Sequence, residues 1–178
     1  VKKFLTAVKE PFILAFSTTS SEAALPKALQ AMESIGVPRP VVSFVLPLGY
    51  TFNLDGTTPY LSLAAVFVAQ AAGVQMPIEK QVLMLITLML TSKGVAAVPR
   101  ASLVILAGTL ASFNLPLAGI ALILGVDTLM DMARTSVNVF GNCLASVVLA
   151  RWEGVFDDKA GEPVVTATET AVALETAV

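Results

Sequence analysis

The chain has 178 residues, of which 56% are hydrophobic and 13% charged, with a net charge of −2 and no basic tract. Ordinary soluble domains carry about 25% charged residues, so this balance points to a membrane protein and excludes nucleic acid as a partner. Histidine is absent and Cys143 is the sole cysteine, which excludes intrachain disulfides, a Cys/His metal cluster and a histidine-based triad.

In chain order, residues 1–9 form a basic segment (Lys2, Lys3, Lys9) that starts on Val1 and reads as the end of a preceding segment of a longer chain. Residues 10–35 are apolar on either side of a polar turn, Thr-Ser-Ser-Glu-Ala-Ala-Leu-Pro at 19–26. Residues 40–73 read as one long apolar helix interrupted by Asn-Leu-Asp-Gly-Thr at 53–57, with Pro59 just beyond. Residues 78–112 repeat the first pattern around Ser-Lys-Gly-Val-Ala-Ala-Val-Pro at 92–99, and 116–152 read as a second long helix. The segment 153–178 is polar, rich in Ala, Thr and Val, and reads as a solvated tail. Charge-free runs cover 56–78, 101–126 and 135–150. The first two reach the roughly 20 residues that cross about 30 Å of hydrocarbon.

The two polar turns begin 73 residues apart, and Asp55 and Asp127 lie 29 and 28 residues past the prolines that close them. Short apolar arms around such turns suit helical hairpins that dip into a membrane and return. A hairpin plus one full crossing is an odd number of passages, so the second unit starts on the opposite face and the pair forms an inverted repeat. Interrupted helices in such a repeat point to the binding site of a secondary transporter. Lys2, Lys3, Lys9, Arg39, Arg151 and Lys159 fall on one face and Lys80 on the other, which makes the first face, with the C-terminus, cytoplasmic.

Six polar residues share one stripe of the last helix: Asp127, Asp131, Arg134, Thr135, Asn138 and Asn142. At 100° per residue they span an arc of about 100°. An Asp or Arg at a bilayer centre costs roughly 2.5–3.5 kcal/mol, so these groups must face partners rather than lipid. At the first break, Asn53, Asp55, Thr57 and the freed carbonyls offer oxygens for a cation; a kink whose polar groups satisfy one another is the equal alternative. For Asp131 and Arg134, three residues apart, the plainer role is mutual neutralisation.

Four motifs in order, the Ser-rich tip at 17–26, Asn-Leu-Asp-Gly-Thr at 53–57, the second tip at 91–99 and Asp-Met-Ala-Arg-Thr-Ser-Val-Asn-Val-Phe-Gly-Asn at 131–142, give the chain from Pro11 to Trp152 its likeness to a known family. It resembles the C-terminal core of the glutamate and dicarboxylate symporters, with bacterial proton–glutamate symport proteins as the nearest branch. The resemblance implies an all-α membrane protein: a transport core over 10–152 with two re-entrant hairpins, two interrupted transmembrane helices and a cytoplasmic tail, set in the plasma (inner) membrane. It implies alternating-access symport of glutamate or aspartate, with no cofactor and no enzymatic activity. C4-dicarboxylates are the alternative substrates, and the implied assembly is a homotrimer, in lipid, through a scaffold outside these residues.

Residue by residue, the resemblance implies that Arg134 clamps the side-chain carboxylate of the substrate, for which a planar guanidinium is suited. Asp131 takes its ammonium, and Thr135 and Asn138 hold the α-carboxylate and nearby polar atoms. Ser20, Ser21, Thr57 and Val98 complete the substrate contacts, and Ser92, Lys93, Gly94 and Pro99 belong to the gating second tip. Asn53, Asp55, Asp127 and Asn142 match cation-site positions. Sodium-coupled members carry an acid where this chain has Asn142, and many carry uncharged residues where it has Lys93 and Arg100. Both departures favour a proton as the coupling ion, with sodium at Asn53, Asp55 and Asp127 the alternative. Glu22 is the candidate proton carrier, since desolvation at membrane depth favours a neutral carboxyl; a tip carboxylate in water, or one paired with Lys27, is the competing reading. A Ser–Lys hydrolase built from Ser20, Ser21, Ser92 or Ser102 with Lys27 or Lys93 is a remote alternative.

Overall fold

The computed structural model describes residues 1–94 and 101–160. Seven helices account for the described fold: α1 (Lys2–Thr18), α2 (Ser21–Ser34), α3 (Arg39–Phe52), α4 (Thr57–Ala71), α5 (Ile78–Thr91), α6 (Ala101–Ser112) and α7 (Ile120–Trp152), with single 3-10 turns at Ser92–Gly94 and Leu117–Gly119.

The first tip is tighter than its eight-residue sequence pattern. Only Thr19, in the left-handed region at φ 52°, and Ser20 separate α1 from α2. Ser20 caps α2 by accepting from the Ala23 N–H at 3.2 Å, which lets the helix start at Ser21. Pro26 therefore sits inside α2 instead of closing a turn, and its missing N–H leaves the Glu22 carbonyl without an intrahelical donor. The hydroxyls of Ser17 and Thr18 fold back on the carbonyls of Ile13 and Leu14, so the tip satisfies much of its own polar surface.

The long apolar runs are shorter helices than the sequence pattern suggests. The run 56–78 holds α4, which stops at Ala71 ahead of Gly73 at φ 69°. The run 101–126 is divided between α6 and α7 by a turn at Asn114 (φ 55°) followed by Pro116 and the 3-10 turn. Both endings use the same device, a residue with positive φ followed by an N–H reaching five residues back: Val74 to Ala69, and Leu115 to Leu110 at 2.8 Å. Among the described residues, no helix is long and apolar enough to cross a membrane. α7 has the length, at 33 residues, but the charged groups along it interrupt its apolar character.

α7 is the spine on which two cores assemble. Its C-terminal half, through Val139, Cys143 and Ala150, packs with Val8, Ala15, Ala24, Ala28, Met32, Val42 and Leu46 from α1, α2 and α3. Its N-terminal half, through Ile123, joins Leu61, Val68, Met84, Leu88, Leu106 and Leu110 from α4, α5 and α6. The first hairpin thus sits on α3 and α7, and the second leans on α4. Small buried residues (Ala15, Ala24, Ala28, Ala65) let the helices approach closely, as they must where apolar burial alone gives little drive. Lys3 donates to the Ala160 carbonyl and the Asp157 N–H to the Gly36 carbonyl at 2.9 Å, which gathers both described ends and the α2–α3 turn at one pole. Between the two cores lies the four-residue gap from α3 to α4, opposite the polar stripe of α7.

Candidate functional site

Five of the six stripe residues on α7 are buried, and Asp131 is partly exposed. Asp127 is 2% exposed, Arg134 4% and Asn142 fully buried, with Thr135 and Asn138 also inside, while Leu129 and Val137 on the opposite face stay exposed. Two polar clusters form along it, one at the α3–α4 gap and one a few turns toward the N-terminus of α7.

At the gap, Asn138 holds the start of α4. Its side-chain oxygen accepts from the Gly56 N–H at 2.7 Å and the Thr57 N–H at 3.3 Å, and its amide donates to Thr57 Oγ1 at 2.8 Å. A helix start exposes N–H groups with no intrahelical partner, and here a residue of another helix takes them. One turn further along α7, Asn53 Nδ2 donates to Asn142 Oδ1 at 3.1 Å and to Asp55 Oδ2 at 3.0 Å, and Asn142 Nδ2 is buried without a partner among the described residues. Two glycines make this approach possible: a Cβ on Gly141 would run into the Asp55 carboxylate, and one on Gly49 into the Asn142 amide.

In the second cluster, Arg134 Nε donates to Asp131 Oδ1 at 2.9 Å and Nη1 to Asp127 Oδ1 at 3.2 Å. The guanidinium carbon lies 4.5 Å from the centre of the Tyr60 ring, and Tyr60 Oη donates to the same Asp127 oxygen at 2.9 Å. Among the described residues, Arg134 Nη2 is buried with no partner. The pairing of Asp131 with Arg134 is therefore real, but it uses only one edge of the guanidinium. Buried charges of this kind persist only when paired and hydrogen-bonded, and one donor in this set meets no acceptor among the described residues.

Asp127 and Gly141, against which Asp55 rests, are about 20 Å apart along the helix axis, so one ion cannot touch Asp55 and Asp127 together. Among the described residues, no three of Asp, Glu, Cys or His converge as a metal site. The oxygens near Asn53 are amide, carboxylate and main-chain groups.

Ser20 is committed to capping α2, and no hydrogen bond links Ser20 or Ser21 to the stripe among the described residues. Glu22 is exposed. Lys27 pairs with Glu10 at 2.8 Å, so the Lys27 partner considered for Glu22 is taken. In the second tip, Ser92 is buried, with its hydroxyl 3.4 Å from Thr58 Oγ1 on α4, and Lys93 donates to the Phe52 carbonyl. Gly94 closes the 3-10 turn. Val98 and Pro99, with Arg100, lie outside the described residues. Among the described residues, neither Lys27 nor Lys93 hydrogen-bonds a serine hydroxyl.

Tyr60 is the site residue that the sequence pattern missed. The available signal was a tyrosine in an otherwise apolar helix, whose hydroxyl must find a partner when buried.

The sequence profile described as the sodium:dicarboxylate symporter family matches residues 1–152. The chain is 51% identical over 168 residues to the proton/sodium-glutamate symport protein of Bacillus subtilis (strain 168), covering 94% of this chain and 39% of the relative. It is 51% identical over 152 residues to the proton/glutamate-aspartate symporter of Escherichia coli (strain K12), covering 85% and 35%. To the C4-dicarboxylate transport protein of Erwinia tasmaniensis it is 47% identical over 158 residues, covering 88% and 37%. The chain thus spans less than two-fifths of the length of these curated relatives.

Proposed function

This chain belongs to the sodium:dicarboxylate symporter family, and from that premise we propose that it is the substrate-binding core of a membrane transporter that carries glutamate or aspartate together with a proton. The observation that carries the reading is the buried Arg134, whose Nη2 meets no partner among the described residues while Nε and Nη1 are held by Asp131 and Asp127. A guanidinium held at Nε and Nη1 has its Nη2 group to offer a carboxylate, and release of Nε by Asp131 completes a two-donor edge.

The charge balance argues for a coupling cation. Asp127, Asp131 and Arg134 sum to −1, and an acidic amino acid brings another −1 into a buried site. Burying that excess is unfavourable without a compensating positive charge, which a proton supplies on binding. Substrate ammonium then competes with Arg134 for Asp131, and the freed guanidinium edge turns to the substrate carboxylate. Asp131 also favours an amino acid over a plain C4-dicarboxylate, which has no ammonium to offer; dicarboxylate transport stays the second reading because one relative is named for it. The name of another relative includes sodium, and the oxygens around Asn53, Asp55 and Asn142 are where that ion would bind if it, and not a proton, is coupled.

The two hairpins are re-entrant in this reading and the core lies in the inner membrane of a homotrimer, moving by alternating access against a scaffold beyond these residues. Exposed Phe44, Leu48, Leu63, Phe67, Leu83 and Leu129 give it apolar faces to set against lipid or scaffold. The contacts of Lys3 and Arg151 with residues 158–160 hold basic groups at one pole, which supports a cytoplasmic placement of that pole and of the C-terminus.

The test is labelled glutamate uptake into proteoliposomes holding the full-length protein, with inward proton and sodium gradients imposed separately at matched membrane potential. Uptake with protons alone supports the reading. A requirement for sodium overturns the proton assignment, and uptake of succinate but not glutamate overturns the substrate.

A further inference from the structure

The Lys93 side chain crosses from the second tip to another element, and its ammonium donates to the main-chain carbonyl of Phe52. Phe52 is the last residue of α3. Its carbonyl is therefore among those a helix leaves without an intrahelical donor, where the aligned peptide dipoles place about half a negative charge. α3 has no basic residue in its own last turn, and the adjacent Asn53 N–H is spent on the Gly49 carbonyl at 2.7 Å. The positive charge that this helix end calls for comes from the second tip, 41 residues away in sequence.

The neighbouring residue fixes the other side of the gap. Ser92 is buried, its hydroxyl 3.2 Å from the Met89 carbonyl and 3.4 Å from Thr58 Oγ1 in the first turn of α4. The tip therefore touches both lips of the interruption, Lys93 on the closing end of α3 and Ser92 on the opening of α4. Where helices are broken inside a membrane, such carbonyl ends are the places that bind small monovalent cations. A lysine ammonium has the same charge.

We propose that Lys93 is a tethered cation: its ammonium occupies the carbonyl end of α3 in place of a diffusible monovalent ion, so the gap between α3 and α4 needs no sodium there. The inference rests on the transport reading above and concerns the cation of the same site. Removing the charge leaves the carbonyl end empty, and sodium then becomes able to fill it and to promote substrate binding.

The experiment uses the full-length protein purified in detergent, with labelled glutamate binding measured in sodium-free buffer and with saturating sodium. Lys93→Met is expected to bind glutamate about tenfold more weakly without sodium and to regain most of that loss with it, the scale of a partly buried cation at a helix end. Lys93→Arg keeps the charge and is expected to show no greater sodium response than the unaltered protein. Wild-type affinity of Lys93→Met without sodium overturns the proposal, as does a loss that neither sodium nor lithium restores. A second measurement needs no variant: amine-reactive labelling followed by mass spectrometry should find Lys93 less reactive than Lys80 and less reactive still with glutamate bound. Reactivity equal to that of Lys80 in both states overturns the contact. If the unaltered protein binds no acidic substrate at all, the transport reading fails instead, and the labelling without substrate still judges the contact.

Discussion

Arg134 is the residue on which the site turns, because three of its neighbours are oriented by it. Asp127 and Asp131 take two of its donor positions, and Tyr60 lies under its plane while holding Asp127 from the other side. Lysine at this position keeps the charge but offers a point donor in place of a fork. Arg134→Lys in the full-length protein is therefore expected to lower glutamate affinity by roughly 30-fold or more, the worth of about 2 kcal/mol of lost charge-assisted hydrogen bonding. Glutamate binding titrations check this, and unchanged affinity would detach Arg134 from the substrate. Tyr60→Phe keeps the ring and removes only the hydroxyl donated to Asp127. Its expected cost is about 1 kcal/mol, roughly fivefold in affinity, with aspartate and glutamate affected alike because Tyr60 acts through Asp127.

At the scale of elements, the gap between α3 and α4 is held open by side chains of α7. Asn138 supplies the acceptor that a cap residue would normally supply within the helix, since Gly56 at the N-cap has no side chain to offer. Asn138→Ala strands two main-chain donors and the Thr57 hydroxyl, and is expected to cost about 2–3 kcal/mol of stability. A fall in the thermal unfolding midpoint of the purified full-length protein, larger than that of Thr57→Ala, is the check. Gly141→Ala places a methyl against the Asp55 carboxylate. The overpacking is expected to cost about 1–3 kcal/mol and to disturb the Asn53–Asp55–Asn142 cluster more than the Arg134 cluster, which lies more than a turn away. Cation dependence should thus shift more than substrate affinity, and equal effects on both would count against two separate clusters.

At the scale of the whole molecule, the two cores meet along α7, so the polar residues between them feel any motion of one hairpin against the other. The site has its buried amide, Asn142, where the resemblance leads one to expect an acid in sodium-coupled relatives. Asn142→Asp adds a charged oxygen beside Asn53 and Asp55 and is expected to make uptake by the full-length protein more strongly stimulated by sodium. Uptake measured under separate gradients checks it, and a variant indifferent to sodium would remove Asn142 from the coupling question.

What could be read from residue order alone was what repeats or has a period. The stripe from Asp127 to Asn142 follows helical geometry, which is local, and the four motifs carried the family, which the sequence match to residues 1–152 bears out together with the helical class. Helix lengths were harder to read. Ser20 starts α2 five residues before Pro26, because a cap overrides the pull of a turn-like sequence. Partners across the chain were beyond reach in the same way. Nothing local ties Tyr60 to Asp127, Asn53 to Asn142, or Lys93 to the carbonyl of Phe52. Those pairings are decided by which helices share the α7 spine, and so by packing over long sequence separations, where buried donors take whichever acceptors the fold brings within 3 Å or so.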